Sequence, residues 1–331
     1  MNGKKVSIII PCYNCSEFIY ETIESLKAQT YKDFEVICVN DGSTDNTLDI
    51  LKSIRSSSGL DMIIIDQQNS GVSKTRNVGI DAANGEYLLF LDSDDVYNKF
   101  FLEKLLLAIE QNNADCAYCK LTRNIEKVIA FDASGVEITK EDQTTAMDKL
   151  LYQMGSYGFC CYIYRRKTIQ NNKIYFDENT KYCEDREFNW KYLCLCQNFA
   201  FIDSELYGYR INPNSALTQK ITWNRCEESL KATLRVQMYM TERKIGFESN
   251  IEKHFYSRVM WTLLKDAAAS KNKEIFKKLG KSYDVKKCMR NTKRRFGKLV
   301  SLAARLYLIH PMLFYNLIRT YCFVISKNTR R

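Results

Sequence analysis

Three aspartates within four residues, Asp92, Asp94 and Asp95, form the group in this sequence with the clearest capacity for chemistry. Carboxylates this close repel one another, and a divalent cation such as Mg²⁺ or Mn²⁺ would relieve that repulsion. The alternative interpretation is a solvated acidic turn that caps the following helix. The preceding residues 87–91 are almost wholly apolar and predict a strand buried on both faces. Because ligands bind at the carboxyl ends of strands in open α/β sheets, that strand favours the metal site.

A second acidic pair, Glu184 and Asp185, stands where a helix is predicted to begin. Acidic residues at a helix start interact favourably with the helix dipole, so N-terminal capping is one interpretation of the pair. The other is catalysis, because a positioned carboxylate can act as a general base toward an attacking hydroxyl. The residues alone leave both interpretations open.

The elements that must position these groups alternate between strand and helix along residues 6–91. This pattern is typical of a doubly wound parallel sheet. Neither GxGxxG after the first strand nor GxxxxGK(S/T) anywhere is present, so a dinucleotide or P-loop site lacks its phosphate cradle. Polar residues instead follow the strands, where Asp41 could accept the N3–H of a uracil and Arg76 could meet phosphate charge. A solvated helix charge is the alternative for Arg76. The predicted strands span residues 6–10, 34–39, 62–65 and 87–91.

Four motifs in order carry a resemblance to a known family. They are residues 6–14 (VSIIIPCYN), 39–45 (VNDGSTD), 69–77 (NSGVSKTRN) and 85–95 (GEYLLFLDSDD). Over these residues, and on to about residue 120, the chain closely resembles the family-2 inverting glycosyltransferases, which have the A-type nucleotide-sugar fold.

The resemblance assigns roles to residues of these motifs. It implies that Arg76 and Asp92 face a nucleotide-sugar and that Asp94 ligates Mn²⁺ or Mg²⁺ on its diphosphate. The uracil and ribose of a UDP-sugar are expected to contact Pro11, Tyr13 and Asp41. Further polar or small residues of the same motifs are expected to line the nucleotide site: Asn14, Ser43, Gly71 and Ser93.

The second half of the chain resembles the family more loosely. Its Glu-Asp pair falls where the family has one, with the aspartate as general base, so Asp185 takes that role. Residues 207–210 (YGYR) are similar to the segment that closes the family's catalytic domain, and Arg210 is expected to contact the diphosphate. Family members often have a Trp and a basic residue where this chain has CCYI at 160–163. Because that region borders the acceptor, the departure leaves the acceptor undefined.

The net charge of +10 is unevenly distributed, because residues 271–331 hold 17 Lys and Arg against 2 Asp and Glu. That region therefore carries +15, and the rest of the chain carries −5. A basic block at 286–295 precedes two apolar stretches, 296–309 and 312–325, separated by His310 and Pro311. We expect two short helices that lie on an anionic membrane surface without crossing it. Packing of these helices against protein is the alternative.

The 13 cysteines are an odd number, and no basic-then-apolar signal peptide opens the sequence, so free thiols in a reducing cytosol are predicted. The pairs Cys12/Cys15 and Cys116/Cys119 have a spacing seen in zinc sites. They lie at predicted strands without a nearby histidine, so we interpret them as buried thiols that pack as small apolar groups.

The sequence therefore predicts an α/β protein with a doubly wound, mostly parallel sheet of the A-type glycosyltransferase fold, followed by a helical, basic C-terminal region. The predicted domains are a nucleotide-sugar-binding half at 1–122, an acceptor-binding half at 123–218 and the helical region at 219–331. The predicted function is metal-dependent, inverting transfer from a UDP-sugar to a glycan acceptor, with Asp185 as base.

The expected setting is assembly of a bacterial surface polysaccharide, such as capsule or O-antigen, on a lipid-linked acceptor at the inner face of the plasma membrane. One alternative is a nucleotidyltransferase of related fold, although the Gly-rich basic loop of that class is missing near the first strand. Another is an inactive, membrane-associated scaffold or a nucleic-acid binder that uses the basic tail, although the tail contains no recognised nucleic-acid module.

Overall fold

The computed structural model describes residues 5–152, 157–211, 221–245, 254–292 and 298–328. The chain forms two compact units. The first comprises Met1–Met147, Met154–Asn179 and Glu184–Pro213. The second comprises Asp148–Gln153, Thr180–Cys183 and Asn214–Arg331. The proposed division of the catalytic part at residue 122 stays a prediction.

The first unit is built on one mixed sheet. Its strands, in chain order, are β1 Val6–Cys12, β2 Phe34–Asp41, β3 Met62–Gln67, β4 Tyr87–Phe90, β5 Val96–Tyr97, β6 Cys116–Thr122, β7 Ile138–Asp142, β8 Tyr162–Arg165 and β9 Asn198–Gly208. They pair in the order β3-β2-β1-β4-β8-β6-β9-β5, and β7 also pairs with β9. This arrangement confirms the predicted α/β fold.

The half of the sheet formed by β1 to β4 is parallel, as the sequence predicted. Its strands consist mainly of apolar, often β-branched residues, as expected for a sheet whose two faces are both covered. Every residue of β2 and β4 is buried. Since β1, β2 and β4 run in the same direction, the polar residues that follow them meet at one edge. The helices that connect these strands are α1 Ile19–Lys27, α2 Thr47–Ser57 and α3 Val72–Ala82.

The other half of the sheet mixes directions. Strand β8 lies between β4 and β6 and is antiparallel to both, whereas β6 and β9 are parallel. Residues 123–137 contain a short helix and lead into β7. The helices of this half are α4 Phe101–Asn112, α5 Ile125–Ala130, α7 Arg166–Asn171 and α8 Glu184–Leu193. Helix α6 Gln143–Tyr152 has residues 143–147 in the first unit and residues 148–152 in the second.

In the second unit, the described residues 221–245, 254–292 and 298–328 are mainly helical. Its helices are α9 Trp223–Glu242, α10 Tyr256–Ala269, α11 Lys273–Ser282, α12 Val285–Asn291, α13 Lys298–Ile309 and α14 Pro311–Asn328. The break between α13 and α14 confirms two helices in place of one long one. Phe276 packs against the rings of Tyr307, Phe314 and Tyr315, so α11, α13 and α14 share a core. Within the described ranges, no helix has the length and apolar character to span a bilayer.

All 13 cysteines are free thiols, and the four cysteines of the CxxC pairs are buried, as expected for apolar packing groups. Cys12 lies at the end of β1, and Cys116 and Cys119 lie within β6. Burial raises the pKa of the Cys161 thiol well above its ordinary value, as expected for a thiol that packs instead of reacting.

Candidate active site

The turns after β1 and β2 are joined by hydrogen bonds beneath an exposed tyrosine. The Asn14 N–H donates to Ser43 Oγ at 3.0 Å, and Asn14 Oδ1 accepts from the Thr44 N–H at 2.8 Å. Asn14 has a φ of 47°, a left-handed conformation that asparagine tolerates better than most residues. These bonds fix the backbone that carries Tyr13, which is 51% exposed and lies two residues after the half-buried Pro11. The arrangement presents an aromatic face to solvent at the edge of the sheet.

Asp41 ends β2 and holds the start of α3. It is buried, and its Oδ1 accepts hydrogen bonds from Gln67 Nε2 and the Ser70 N–H, both at 2.8 Å. Its Oδ2 accepts from the Gly71 N–H at 2.9 Å. Burial acts to raise the pKa of Asp41, but these donors outweigh it and lower that pKa, so the carboxylate is ionised. Gly71 has a φ of 88°, which a residue with a Cβ adopts only under strain.

Arg76 lies in the second turn of α3 and is 5% exposed. Its guanidinium donates from one nitrogen to Asp92 Oδ1 at 2.9 Å and from the other to Glu184 Oε1 at 3.3 Å. The rings of Phe159 and Phe176 lie 4.5 and 5.2 Å from the guanidinium carbon. Burial acts to lower the pKa of Arg76, but the two carboxylates reverse the effect and raise it. Arg76 therefore connects the turn after β4 to the start of α8.

The acidic turn after β4 divides into two parts. Asp92, Ser93 and Asp94 are partly exposed, and the Ser93 carbonyl accepts from Thr22 Oγ1 at 3.0 Å. Asp95 is fully buried, and burial together with the charge of Asp92 raises its pKa to about 8. The first part is partly exposed to solvent, whereas Asp95 belongs to the interior.

Asp95 attaches this turn to the end of β9 through two hydrogen bonds, which we call the Asp95 clamp. Its Oδ2 accepts from the Tyr207 hydroxyl at 2.5 Å, and its Oδ1 accepts from the Arg210 N–H at 2.7 Å. The Arg210 side chain then turns back, where Nε donates to the Asp94 carbonyl at 2.8 Å and a terminal nitrogen donates to Glu21. The sequence analysis placed Arg210 beside the diphosphate but gave Tyr207 no role. The sequence signal for this contact was Asp95 itself. The metal role was assigned to Asp94, so a third aspartate in the motif indicated a separate, structural role.

The acidic pair lies at the first two positions of α8. Asp185 is partly exposed, and its Oδ1 accepts the Arg186 N–H at 2.6 Å. Burial and the neighbouring Asp185 raise the pKa of Glu184 to about 7, although the charge of Arg76 opposes the shift. Arg76 therefore links the Glu184 carboxylate to Asp92 of the acidic turn, and Asp185 is the next residue along the chain. The predicted roles of individual residues, in binding the nucleotide-sugar or as the general base, stay predictions.

The donor set at the acidic turn fits a divalent cation that the substrate helps to coordinate. Asp94 contributes a partly exposed carboxylate, and Asp92 lies two residues away. Within the described ranges, no three His, Cys, Asp or Glu side chains are grouped as a metal site. Mg²⁺ commonly binds through one or two carboxylates, with substrate phosphates and water as its other ligands. Asp94 would hold such an ion.

Comparison with curated proteins finds close relatives among bacterial glycosyltransferases. The chain is 32% identical over 308 residues to the uncharacterized glycosyltransferase EpsJ of Bacillus subtilis, with 89% of each chain covered. It is 30% identical over 207 residues to the poly(ribitol-phosphate) beta-N-acetylglucosaminyltransferase TarS of Staphylococcus aureus, which covers 62% of this chain but only 35% of TarS.

Solved structures show the same fold. The crystal structure of residues 1–349 of S. aureus TarS superimposes with a TM-score of 0.68 at 23% identity, over 98% of this chain and 92% of that one. The sequence profile of glycosyl transferase family 2 matches residues 7–172. Together with the 32% identity to EpsJ, this match decides against the nucleotidyltransferase hypothesis. The chain belongs to glycosyl transferase family 2 and is a glycosyltransferase enzyme.

Proposed function

We propose that the enzyme transfers a sugar from a UDP-sugar to a glycan acceptor, with inversion at the anomeric carbon. The single observation that carries this proposal is the Arg76 bridge from Asp92 to Glu184. It brings the acidic turn expected to face the donor next to the pair expected to contain the base. Glycosyl transfer needs these two sites side by side, because the acceptor oxygen must reach the carbon that the diphosphate leaves.

The base is proposed to be Asp185. Its partly exposed carboxylate would take the proton of the acceptor hydroxyl as that oxygen bonds to the anomeric carbon. The bond from that carbon to the diphosphate oxygen breaks on the opposite face, so an α-linked donor gives a β-linked product and UDP. The Glu184 carboxylate is paired with Arg76, and its raised pKa means that it is partly protonated at neutral pH. Asp185 is therefore the better placed of the two for this role.

The donor is proposed to lie across the polar strand ends. The exposed Tyr13 ring would stack on the uracil, and Asp41 would accept the uracil N3–H beside its bonds to the start of α3. Arg76, Asp92 and Ser93 would face the nucleotide-sugar, and Arg210 would contact the diphosphate. Support comes from TarS, whose structure has been solved with UDP-GlcNAc, although that likeness at 21% identity shows the fold alone.

A divalent cation, Mn²⁺ or Mg²⁺, is proposed as cofactor, with Asp94 as its ligand. Bound there, it would neutralise charge on the departing diphosphate. The Arg210 bond to the Asp94 carbonyl holds the backbone of this residue, so the carboxylate is presented from a fixed turn.

The acceptor is proposed to be a bacterial surface polysaccharide or a related glycan attached to lipid. The relatives support this setting, since TarS and a Bacillus spizizenii relative, 33% identical over 191 residues, are named as enzymes that glycosylate poly(ribitol-phosphate). A lipid-linked acceptor lies at a membrane, and we place the enzyme at the inner face of the plasma membrane, held by its basic C-terminal region.

A donor screen tests the proposal most directly. The purified chain would be mixed with a panel of UDP-, GDP- and dTDP-sugars, with Mn²⁺ or chelator, and nucleotide release would be measured. Release of UDP from one UDP-sugar, dependent on metal, is the expected result. Release of another nucleotide would contradict the uracil assignment, and release that ignores chelator would contradict the cofactor.

A further inference from the structure

Helix α13 exposes a row of apolar side chains. Leu299, Leu302, Leu306 and Ile309 follow the spacing i, i+3, i+7, i+10, which places them on one face of the helix. Leu299, Leu302 and Ile309 are 68%, 51% and 74% exposed, and Leu306 is half-buried. An isolated exposed leucine is ordinary, but an aligned row is a surface that binds something apolar.

Helix α14 continues this pattern. Leu313, Leu317 and Tyr321 are spaced by four residues and are 45%, 40% and 50% exposed. We call the row on both helices the apolar seam; its members are Leu299, Leu302, Leu306, Ile309, Leu313, Leu317 and Tyr321. The buried faces of the same helices converge on Phe276. Packing within the unit therefore uses other side chains and leaves the seam outside that core.

The charged residues of α13 and α14 are all basic. Lys298, Arg305 and Arg319 are exposed on the same two helices. Residues 285–331 contain 12 Lys and Arg and no Asp or Glu. A second copy that presented the same face would meet like charge, which disfavours self-association through the seam. An anionic lipid surface suits both features, because it accepts apolar side chains below its headgroups and attracts Lys and Arg at their level.

We infer that the apolar seam is the surface through which this enzyme docks on an anionic bilayer, with α13 and α14 lying along the interface. The inference deepens the membrane setting of the proposed function by naming the contact surface. It is tested with lipid alone, so its failure is distinguishable from failure of the glycosyl transfer.

Liposome flotation of the full chain provides the test. The double variant Leu302→Ser/Leu317→Ser removes two seam side chains that are already exposed, so folding should be preserved, as circular dichroism would verify. The matched control is Met238→Ser, which alters an apolar side chain on α9 that is 61% exposed outside the seam. Wild type and control should float with vesicles of phosphatidylcholine and phosphatidylglycerol, but not with phosphatidylcholine alone. The double variant should bind at least about tenfold more weakly.

Equal flotation of the double variant and wild type would overturn the inference, as would a wild type that stays with the soluble fraction at low salt. Size-exclusion chromatography without lipid examines the rival occupant. A wild-type dimer that the double substitution converts to monomer would assign the seam to a second copy and refute membrane docking.

Discussion

Replacing Arg76 tests whether one buried cation holds the acidic turn and the start of α8 together. Arg76→Met removes the charge but keeps an unbranched side chain beside the rings of Phe159 and Phe176. The Arg76 side chain is 6% exposed and that of Glu184 is 13% exposed, against 31% for Asp92. When Arg76 is removed, water can therefore hydrate the Asp92 carboxylate better than the Glu184 carboxylate. Removing one member of a buried pair costs about 3–5 kcal/mol, and we expect the lower end here.

The expected loss depends on pH, because the pKa of Glu184 is raised to about 7. Burial and Asp185 raise that pKa and Arg76 lowers it, so the variant should have a still higher value. Well below pH 7, Glu184 is protonated in both proteins and loses little when Arg76 is removed. Above pH 7, the wild type pairs an ionised Glu184, whereas the variant must bury the charge alone or retain a proton. The destabilisation should therefore grow between about pH 6 and about pH 8.

Urea unfolding followed by circular dichroism at the two pH values measures this difference, and turnover is measured in parallel. Arg76→Lys keeps the charge but not the two-ended fork, so its loss should be intermediate and less dependent on pH. Tyr175→Phe is the control. The Tyr175 hydroxyl donates to Asp81 at 2.9 Å and so connects the loop between α7 and α8 to α3 at an exposed position. That variant should change stability by no more than about 0.5 kcal/mol. An Arg76→Met loss of equal size at both pH values would refute the coupling to Glu184.

Three further variants examine the rest of the site. Asp185→Asn should lower turnover by about 10²–10⁴-fold, while UDP affinity measured by calorimetry stays near wild type; retention of half the turnover would exclude Asp185 as base. Asp94→Ala should abolish the gain in UDP affinity that Mn²⁺ gives the wild type. If chelator leaves wild-type affinity unchanged, the metal assignment is wrong. Tyr207→Phe leaves the buried Asp95 one hydrogen bond short and should cost about 1–3 kcal/mol in urea unfolding, so an unchanged midpoint would argue against the clamp.

The first half of the sheet was predictable because its signals are local. Strands buried on both faces are continuous apolar runs, and the polar residues that follow them must meet at one edge when the strands are parallel. The apolar run before Asp92 therefore identified β4 and the acidic turn from the sequence alone. The break at Pro311 likewise separated α13 from α14.

The remaining features depend on pairings between distant residues. Arg76 and Glu184 are 108 residues apart, and Asp95 and Tyr207 are 112 apart. No spacing or periodicity along the chain specifies such a pair. The same reason applies to β8, whose four residues reveal neither the antiparallel direction nor a place between β4 and β6. Arg76 was expected to face phosphate, and its burial between two carboxylates was not predicted.

The position of β8 also affects how the protein is made. Ribosomal synthesis releases β1, β2, β3, β4 and β6 first, but β4 and β6 are joined only through β8, which begins at Tyr162. The Asp95 clamp waits longer still, until Tyr207 and Arg210 have emerged. Until then a buried carboxyl lacks its partners and two sheet edges lie open, the condition in which nascent chains associate wrongly. A fragment ending near residue 122 would remain in that state permanently, so expression of residues 1–122 alone should yield aggregates.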